Sequence, residues 1–292
     1  MTRGEQAVPP GAMVVGIDET SVAGRALDWA SDVAVREGRP LAVVHAPGSL
    51  GITGTTWLNL VDPATEPTRL DIEKHGQAVL ARAIARVGLR HPELSAVPLV
   101  AMQDPAPQLL HLSHIAHLLV VGSRGHGVSR SVPSGQLGTW LAKRTSCPVV
   151  VVPDFNPEVV RQGVLIGVPT TPHALAVLDF GYHHASLHGL PLSVVQAAKG
   201  TTGSDDDRRR WLAEAMGGLA ERSPDVQVNV VLLPGRPAPT LLRMADRMHL
   251  LVVGQHRTAG LSRSPFDHVR SSIVDRSPCP TAVVPARVAE RA

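Results

Sequence analysis

The stretch VVGSRGHGVSRSVPSGQLGTWLAKRTSCPVVVVP, residues 120–153, contains the clearest indication of the fold of the first half of the chain. It starts as an apolar strand, enters a loop rich in glycine and arginine, and passes through a helical pattern into a second apolar strand. Strands that are apolar on both faces and separated by helices are typical of a parallel sheet covered on both sides. LVVGQHRTAGLSRSPFDHVRSSIVDRSPCPTAVVP, residues 251–285, repeats the layout with most of the glycines replaced.

The repeat extends through the whole chain. MVVGIDETS at 13–21 matches VLIGVPTTP at 164–172, and DPAPQLL at 104–110 matches RPAPTLL at 236–242. The offset between the copies shortens from the first pair to the second, which we attribute to extra residues in the first copy's Gly-, Thr- and Pro-rich loop at 47–69. The sequence therefore predicts two domains, 1–155 and 156–292.

Within each copy, apolar runs alternate with amphipathic helical patterns. The first copy predicts strands and helices that alternate from its start to its end: strands at 12–17, 41–46, 96–102, 117–123 and 148–153, and helices at 23–38, 69–88, 106–116 and 135–145. Right-handed crossovers wind such units into an open, doubly wound sheet. Ligands bind these sheets at the carboxyl ends of the strands, and the glycine-rich loop lies at that edge.

Composition excludes several classes of protein. The 292 residues are 43% hydrophobic, 18% charged and 3% aromatic, with a formal charge of +3, which is typical of a globular domain and not of a nucleic-acid binder. No apolar run approaches the roughly 20 residues of a membrane span. The opening MTRGEQAVPP lacks the apolar segment of a secretory signal. We expect a cytoplasmic protein with neither nucleic acid nor membrane as a partner.

The glycine-rich loop has the chemistry of a phosphate cradle. Its glycines, Gly122, Gly125, Gly127 and Gly135, are expected to let the backbone approach a ligand and adopt positive φ, and a helix that starts near Gly135 turns N–H groups toward the loop. Arg124 and Arg130 add positive charge, although the loop does not match the P-loop motif. The alternative from composition alone is a Gly/Ser surface loop without a ligand.

GSRGHGVSRSVPSGQL at 122–137 resembles the signature of the universal stress protein family, Gly-x₂-Gly-x₉-Gly-(Ser/Thr), through Gly122, Gly125 and Gly135. The flanking VVGIDETS, PLAVVHA and CPVVVVP are also similar to that family. The resemblance implies an α/β fold: two tandem doubly wound, five-stranded parallel-sheet domains of Rossmann-like, adenine-nucleotide alpha-hydrolase-like type. It also implies that the last strands pair, giving a pseudo-dimer of domains within one chain, and we expect the chains to form a homodimer.

The family's ATP-binding positions carry over residue by residue. They are Gly16, Ile17 and Asp18 for the adenosine, Ala46 for the base, Val121, Gly122, Ser123, Arg124, Gly125, His126, Gly127 and Val128 for the phosphate loop, and Gly135, Gln136 and Leu137 at the helix start. Gln136 departs from the usual Ser or Thr, which removes the hydroxyl that would reach a phosphate or Mg²⁺.

The second copy departs further from the signature. Pro169 stands in the place of Asp18, and Gly254, Arg257 and Asp267 stand in the places of the three glycines. An aspartate at the phosphate-facing helix start would repel the ligand. We therefore expect ATP, with or without Mg²⁺, in the first domain and no cofactor in the second.

These features favour a nucleotide-responsive regulatory protein of the stress response. A scaffold that binds no nucleotide and a slow ATPase are the alternatives, and the sequence leaves open ATP, AMP or a cyclic nucleotide. No catalytic residue and no metal site is predicted. The histidines 111, 114, 117, 183, 184 and 188 are interpreted as surface histidines of helices, and Cys147 and Cys279 as buried, inert thiols.

Overall fold

The computed structural model describes residues 8–47, 69–123, 132, 136–156, 158–169, 174–198, 204–255 and 272–286. The chain divides into two compact units, Met1–Asp154 and Phe155–Ala292. Among the residues described, none of the helices has the length and apolarity that a bilayer crossing needs.

The first unit alternates strands and helices. Its elements are β1 (Met13–Ile17), α1 (Ser21–Arg36), β2 (Leu41–His45), α2 (Arg69–Arg90), β3 (Ala96–Val100), α3 (Pro105–Leu112), β4 (Leu118–Gly122), α4 (Leu137–Ala142) and β5 (Val149–Val152). The strands are parallel, in the order β3-β2-β1-β4-β5. Because β1 lies between β2 and β4, the strand order reverses at the β1–β4 pair.

The second unit repeats this arrangement. Its elements are β6 (Val164–Gly167), α5 (Ala174–His188), β7 (Leu192–Ala198), α6 (Asp205–Arg222), β8 (Val228–Pro234), α7 (Pro237–Met244), β9 (Leu250–Gly254), a short helix at 272–276 and β10 (Thr281–Val284). The strands are parallel, in the order β8-β7-β6-β9-β10. The predicted fold class, tandem doubly wound α/β domains, is confirmed.

Local sequence explains where helix α1 begins and ends. The Thr20 hydroxyl accepts a hydrogen bond from the backbone N–H of Ala23 at 3.1 Å, an N-cap that satisfies one of the helix's first donors. At the other end, Gly38 has φ +62° and stops the helix. Its counterpart in the second unit, Gly189, follows α5 with the same φ of +62°.

The core of each unit surrounds its central strands. All five residues of β2 and all four of β5 are buried, as are all four of β10. Valine, leucine and alanine supply most of these side chains, which agrees with strands covered by helices on both faces.

Candidate functional site

Strand register brings three of the predicted ligand positions into one row. Ile17 of β1 is paired with His45 of β2, and Gly16 of β1 is paired with Val121 of β4. Asp18, Ala46 and Ser123 each follow the end of one of these strands. Neighbouring strands lie about 4.8 Å apart, so the three residues form a row at the carboxyl edge, where the strand order reverses.

Of the remaining predicted positions, some are described, among them Gln136 and Leu137 at the start of α4, and the others lie outside the described residues. Gln136 is exposed at the start of α4, and its side chain makes no hydrogen bond to the first turn of that helix. The Val121 side chain is buried, so only its backbone can face a ligand. Six positions lie outside the described residues: Arg124, Gly125, His126, Gly127, Val128 and Gly135.

Asp18 holds the start of helix α1. Its Oδ1 accepts hydrogen bonds from the backbone N–H of Thr20, at 2.9 Å, and from the Thr20 hydroxyl. The same hydroxyl caps α1 by accepting from Ala23. The sequence indicated only a ligand role for Asp18, but the structure adds a turn that orients its carboxylate.

Gly16 and Gly122 have a packing reason for being glycine. A Cβ on Gly122 would lie 3.1 Å from Val22 Cγ1, and a Cβ on Gly16 would lie 3.0 Å from Leu109 Cδ1. Gly122 does not have a positive φ, so the expectation that it serves the loop through that conformation is wrong. Its close approach is to the first turn of α1.

The second unit makes similar helix–sheet contacts without the full glycine signature. A Cβ on Gly254 would lie 3.1 Å from Val177 Cγ2, and one on Gly167 would lie 2.5 Å from Leu241 Cδ1. Leu241 occupies the position of Leu109 in the aligned copies. These glycines therefore permit helix–sheet packing in both units, whether or not a ligand is bound.

Sequence reasoning missed His45, the last residue of β2. Its side chain is buried, and its Nδ1–H donates to the Ile17 carbonyl at 3.0 Å, which ties β2 to β1 at the edge. Burial lowers the pKa of His45, so the imidazole is neutral at pH 7. Among the described residues, no group bonds its buried Nε2. A polar residue that ends an otherwise apolar strand was the only sequence signal.

Glu19 and helix α2 form a second polar group that the sequence did not indicate. Glu19 accepts from Arg82 at 2.7 Å and lies 3.1 Å from His75 Nε2. Both partners are on α2, far from Glu19 in sequence, so no local pattern relates them. The contacts join α2 to the β1–α1 turn that contains Asp18.

At the corresponding edge of the second unit, Pro169 follows β6 and offers no carboxylate. Arg208 of α6 donates to the Gln196 side chain at 2.7 Å and to its carbonyl at 3.1 Å. Gln196 stands where the first copy has His45. Arg257 and Asp267, which replace two of the signature glycines, lie outside the described residues.

The structure also places the other residues singled out in the sequence. His117 lies 3.0 Å from Glu37, and His114 lies 3.1 Å from Ser146, so these two histidines have separate partners. His184 is only 2% exposed, so its interpretation as a surface histidine is wrong. Cys147 and Cys279 are buried, and burial raises the pKa of Cys279 to about 11.

Comparison with known proteins agrees with this architecture. The sequence model of the universal stress protein family matches residues 11–153 and 161–285. A universal stress protein of Mycobacterium tuberculosis strain H37Rv is 26% identical, covering 93% of this chain and 96% of the relative. One from Mycolicibacterium smegmatis is 28% identical, covering 94% and 97%. The crystal structure of a universal stress protein from Archaeoglobus fulgidus has a TM-score of 0.66 at 18% identity, covering 94% and 96%. The chain belongs to the universal stress protein family, with two family domains in tandem.

Proposed function

We propose that the first domain binds ATP, with or without Mg²⁺, at the carboxyl edge between β1 and β4, and that the protein acts as a nucleotide-responsive regulator. The observation that carries this proposal is the row of Asp18, Ala46 and Ser123 at the reversal of strand order. In doubly wound sheets this is the place where nucleotides bind. The glycine-rich loop follows Ser123 directly in the sequence.

Each part of the edge has a role in this proposal. The Asp18 carboxylate accepts from the ribose hydroxyls, and Ala46 leaves room for the base. Backbone N–H groups of the loop and of the α4 start meet the phosphates, with Arg124 adding charge. Gln136 cannot supply the short hydroxyl of the family signature, so Mg²⁺ is held mainly by the phosphates.

The turn at Asp18 supplies a route from nucleotide to response. The Thr20 group that bonds Asp18 also caps α1, so a ribose on Asp18 stabilises the start of that helix. Glu19 connects the same turn to α2 through Arg82. In this proposal, ATP binding therefore makes the start of α1 and its contact with α2 more ordered. A partner protein can recognise this change on the surface of the two helices.

Native mass spectrometry of the full chain tests the proposal. We expect one adenine nucleotide per chain, because the second unit has Pro169 in place of Asp18. Two equally occupied nucleotides per chain would show that the second domain has been misjudged.

Asp18→Asn is the sharper variant, since an asparagine Oδ1 still accepts from Thr20 and preserves the cap. Loss of the charge should weaken ATP binding about 10- to 100-fold, because hydrogen bonds to charged groups contribute about 1.5–3 kcal/mol. Gly125→Val should also weaken binding by blocking the loop, and the matched change Arg257→Ala in the second copy should not. Calorimetry measures all three affinities, and an unchanged Asp18→Asn affinity contradicts the assignment.

A scaffold without nucleotide is the second candidate function. It is favoured by the observation that helix–sheet packing alone accounts for glycine at positions 16 and 122, without any ligand. Absence of bound nucleotide at millimolar ATP, with the fold intact, would select this candidate.

A further inference from the structure

Three histidines of the second unit converge from two separate elements. His184 and His188 are on α5, and His249 immediately precedes β9. The ring centroids of His184 and His188 are 4.0 Å apart. The ring centroid of His249 lies 5.2 Å from that of His184 and 4.9 Å from that of His188. One ring nitrogen from each histidine lies within 4.8 Å of the other two. We propose that these three histidines form a binding site for Zn²⁺ or a similar borderline divalent cation.

The ligand set and its hydrogen bonding suit such an ion. Imidazole ligands favour Zn²⁺, Ni²⁺ and Cu²⁺ over Mg²⁺ or Ca²⁺. His188 donates from Nδ1–H to the carbonyl oxygen of His184 at 2.9 Å, which leaves Nε2 as the acceptor nitrogen. Histidine ligands of metals are commonly oriented by such a bond from the other ring nitrogen to a backbone carbonyl.

The spacing requires only a small contraction. Zn–N bonds of about 2.0–2.1 Å place tetrahedral nitrogen ligands about 3.4 Å apart. His249 is partly exposed, so its ring has room to rotate toward an ion, whereas His184 is buried and His188 is held by its Nδ1–H bond. Among the described residues, no cysteine or carboxylate joins the group, so water completes the coordination.

The position in the fold also favours a cation. His188 is the last residue of α5, and the carbonyl end of a helix stabilises positive charge. His249 is placed by the hydrogen bond from its backbone N–H to the Gly163 carbonyl at 2.9 Å, at the start of β6. The site therefore lies at the amino ends of β6 and β9, and its ion would join α5 to the start of β9.

The first unit shows what these positions do without the extra histidines. In the aligned copies, Glu37 corresponds to His188, His117 to His249 and Val33 to His184. His117 and Glu37 approach within 3.0 Å, and the His117 N–H donates to Ala12 in the same way as that of His249 to Gly163. One copy thus has a His–Glu pair beside a valine, and the other has three histidines.

Isothermal titration of Zn²⁺ into the untagged, chelator-treated full chain tests the site. We expect one Zn²⁺ per chain, and Co²⁺ should give the visible absorption of a tetrahedral site. His184→Val installs the residue of the first copy and so preserves packing. We expect it to weaken Zn²⁺ binding at least about 100-fold and to abolish the Co²⁺ spectrum.

Two controls locate the ion. His183→Ala changes the exposed neighbour on the same helix, and His114→Ala changes a histidine of the first unit; both should bind Zn²⁺ as the unmodified chain does. Any of three results would overturn the proposal: loss of Zn²⁺ binding in His114→Ala, equal Zn²⁺ binding by the unmodified chain and His184→Val, or no stoichiometric Zn²⁺ binding at all. Circular dichroism of His184→Val checks that it folds.

Discussion

Gly122 and Gly254 allow the packing role of a glycine to be separated from a ligand role. A Cβ at Gly122 would lie 3.1 Å from a methyl of Val22 in α1, and one at Gly254 would lie 3.1 Å from a methyl of Val177 in α5, a few tenths of an ångström inside ordinary contact. Overpacking of this kind destabilises a fold by about 1–3 kcal/mol. Replacing glycine by alanine also restricts the unfolded chain, which stabilises the fold by about 0.4–1 kcal/mol. Because the overlap is small, we expect Gly122→Ala and Gly254→Ala each to lower the free energy of unfolding by about 1 kcal/mol.

Scanning calorimetry of the full chain measures this effect. At about 2–4 °C per kcal/mol, each variant should lower the melting temperature of its own domain by a few degrees. Urea unfolding followed by fluorescence assigns the transition, since Trp211 is the single tryptophan of the second unit, whereas Trp29, Trp57 and Trp140 lie in the first. Gly122→Val adds two methyl groups to the same contact and should destabilise the first domain further.

Matched controls come from glycines with open space around an added Cβ. Gly88 in α2 and Gly217 in α6 have no atom within 4 Å of that position. Alanine there should raise stability by about 0.5–1 kcal/mol through helix propensity. A neutral Gly254→Ala, or a Gly122→Ala that loses ATP binding while its melting temperature stays unchanged, would contradict the packing role of these glycines.

Three further predictions concern charge, thiols and assembly. Burial pushes the Asp32 pKa upward, but hydrogen bonds from Arg90 and His91 outweigh it and hold the pKa below its ordinary value. The Asp32 interactions therefore stabilise the fold above the unfolded pKa of about 3.9, and this stabilisation is lost as pH falls through the folded pKa. Urea unfolding should show that Asp32→Asn lowers the free energy of unfolding by about 1 kcal/mol at pH 7 and by less at pH 3. Cys279 is buried with a pKa raised to about 11, and Cys147 is buried as well. Neither thiol should react with a thiol reagent at pH 8 until the chain is unfolded, and rapid labelling of the native protein would show that the thiols are accessible. Light scattering should give the mass of a homodimer, and a monomer at all concentrations would show that expectation to be wrong.

Apolar periodicity and the similarity of the two halves were sufficient to establish the fold class and the internal duplication. Strand and helix identity follow from the period of apolar residues, which is a local property, and the strands β1, β2, β4 and β5 lie within one or two residues of their predicted bounds. Alignment of the copies also indicated which one retains the glycine signature. Both inferences compare residues along the chain and require no knowledge of strand order.

Contacts between side chains that are distant in the sequence could be identified only from the folded chain. The packing of Gly122 on Val22 depends on β4 lying beside β1, and apolar periodicity does not specify that neighbour. His184 looked like a surface residue in a polar run, yet it is buried because α5 turns that face toward the start of β9. Side chains from separate elements meet only when the sheet order is set, which is why the histidine cluster could not be predicted from local pattern.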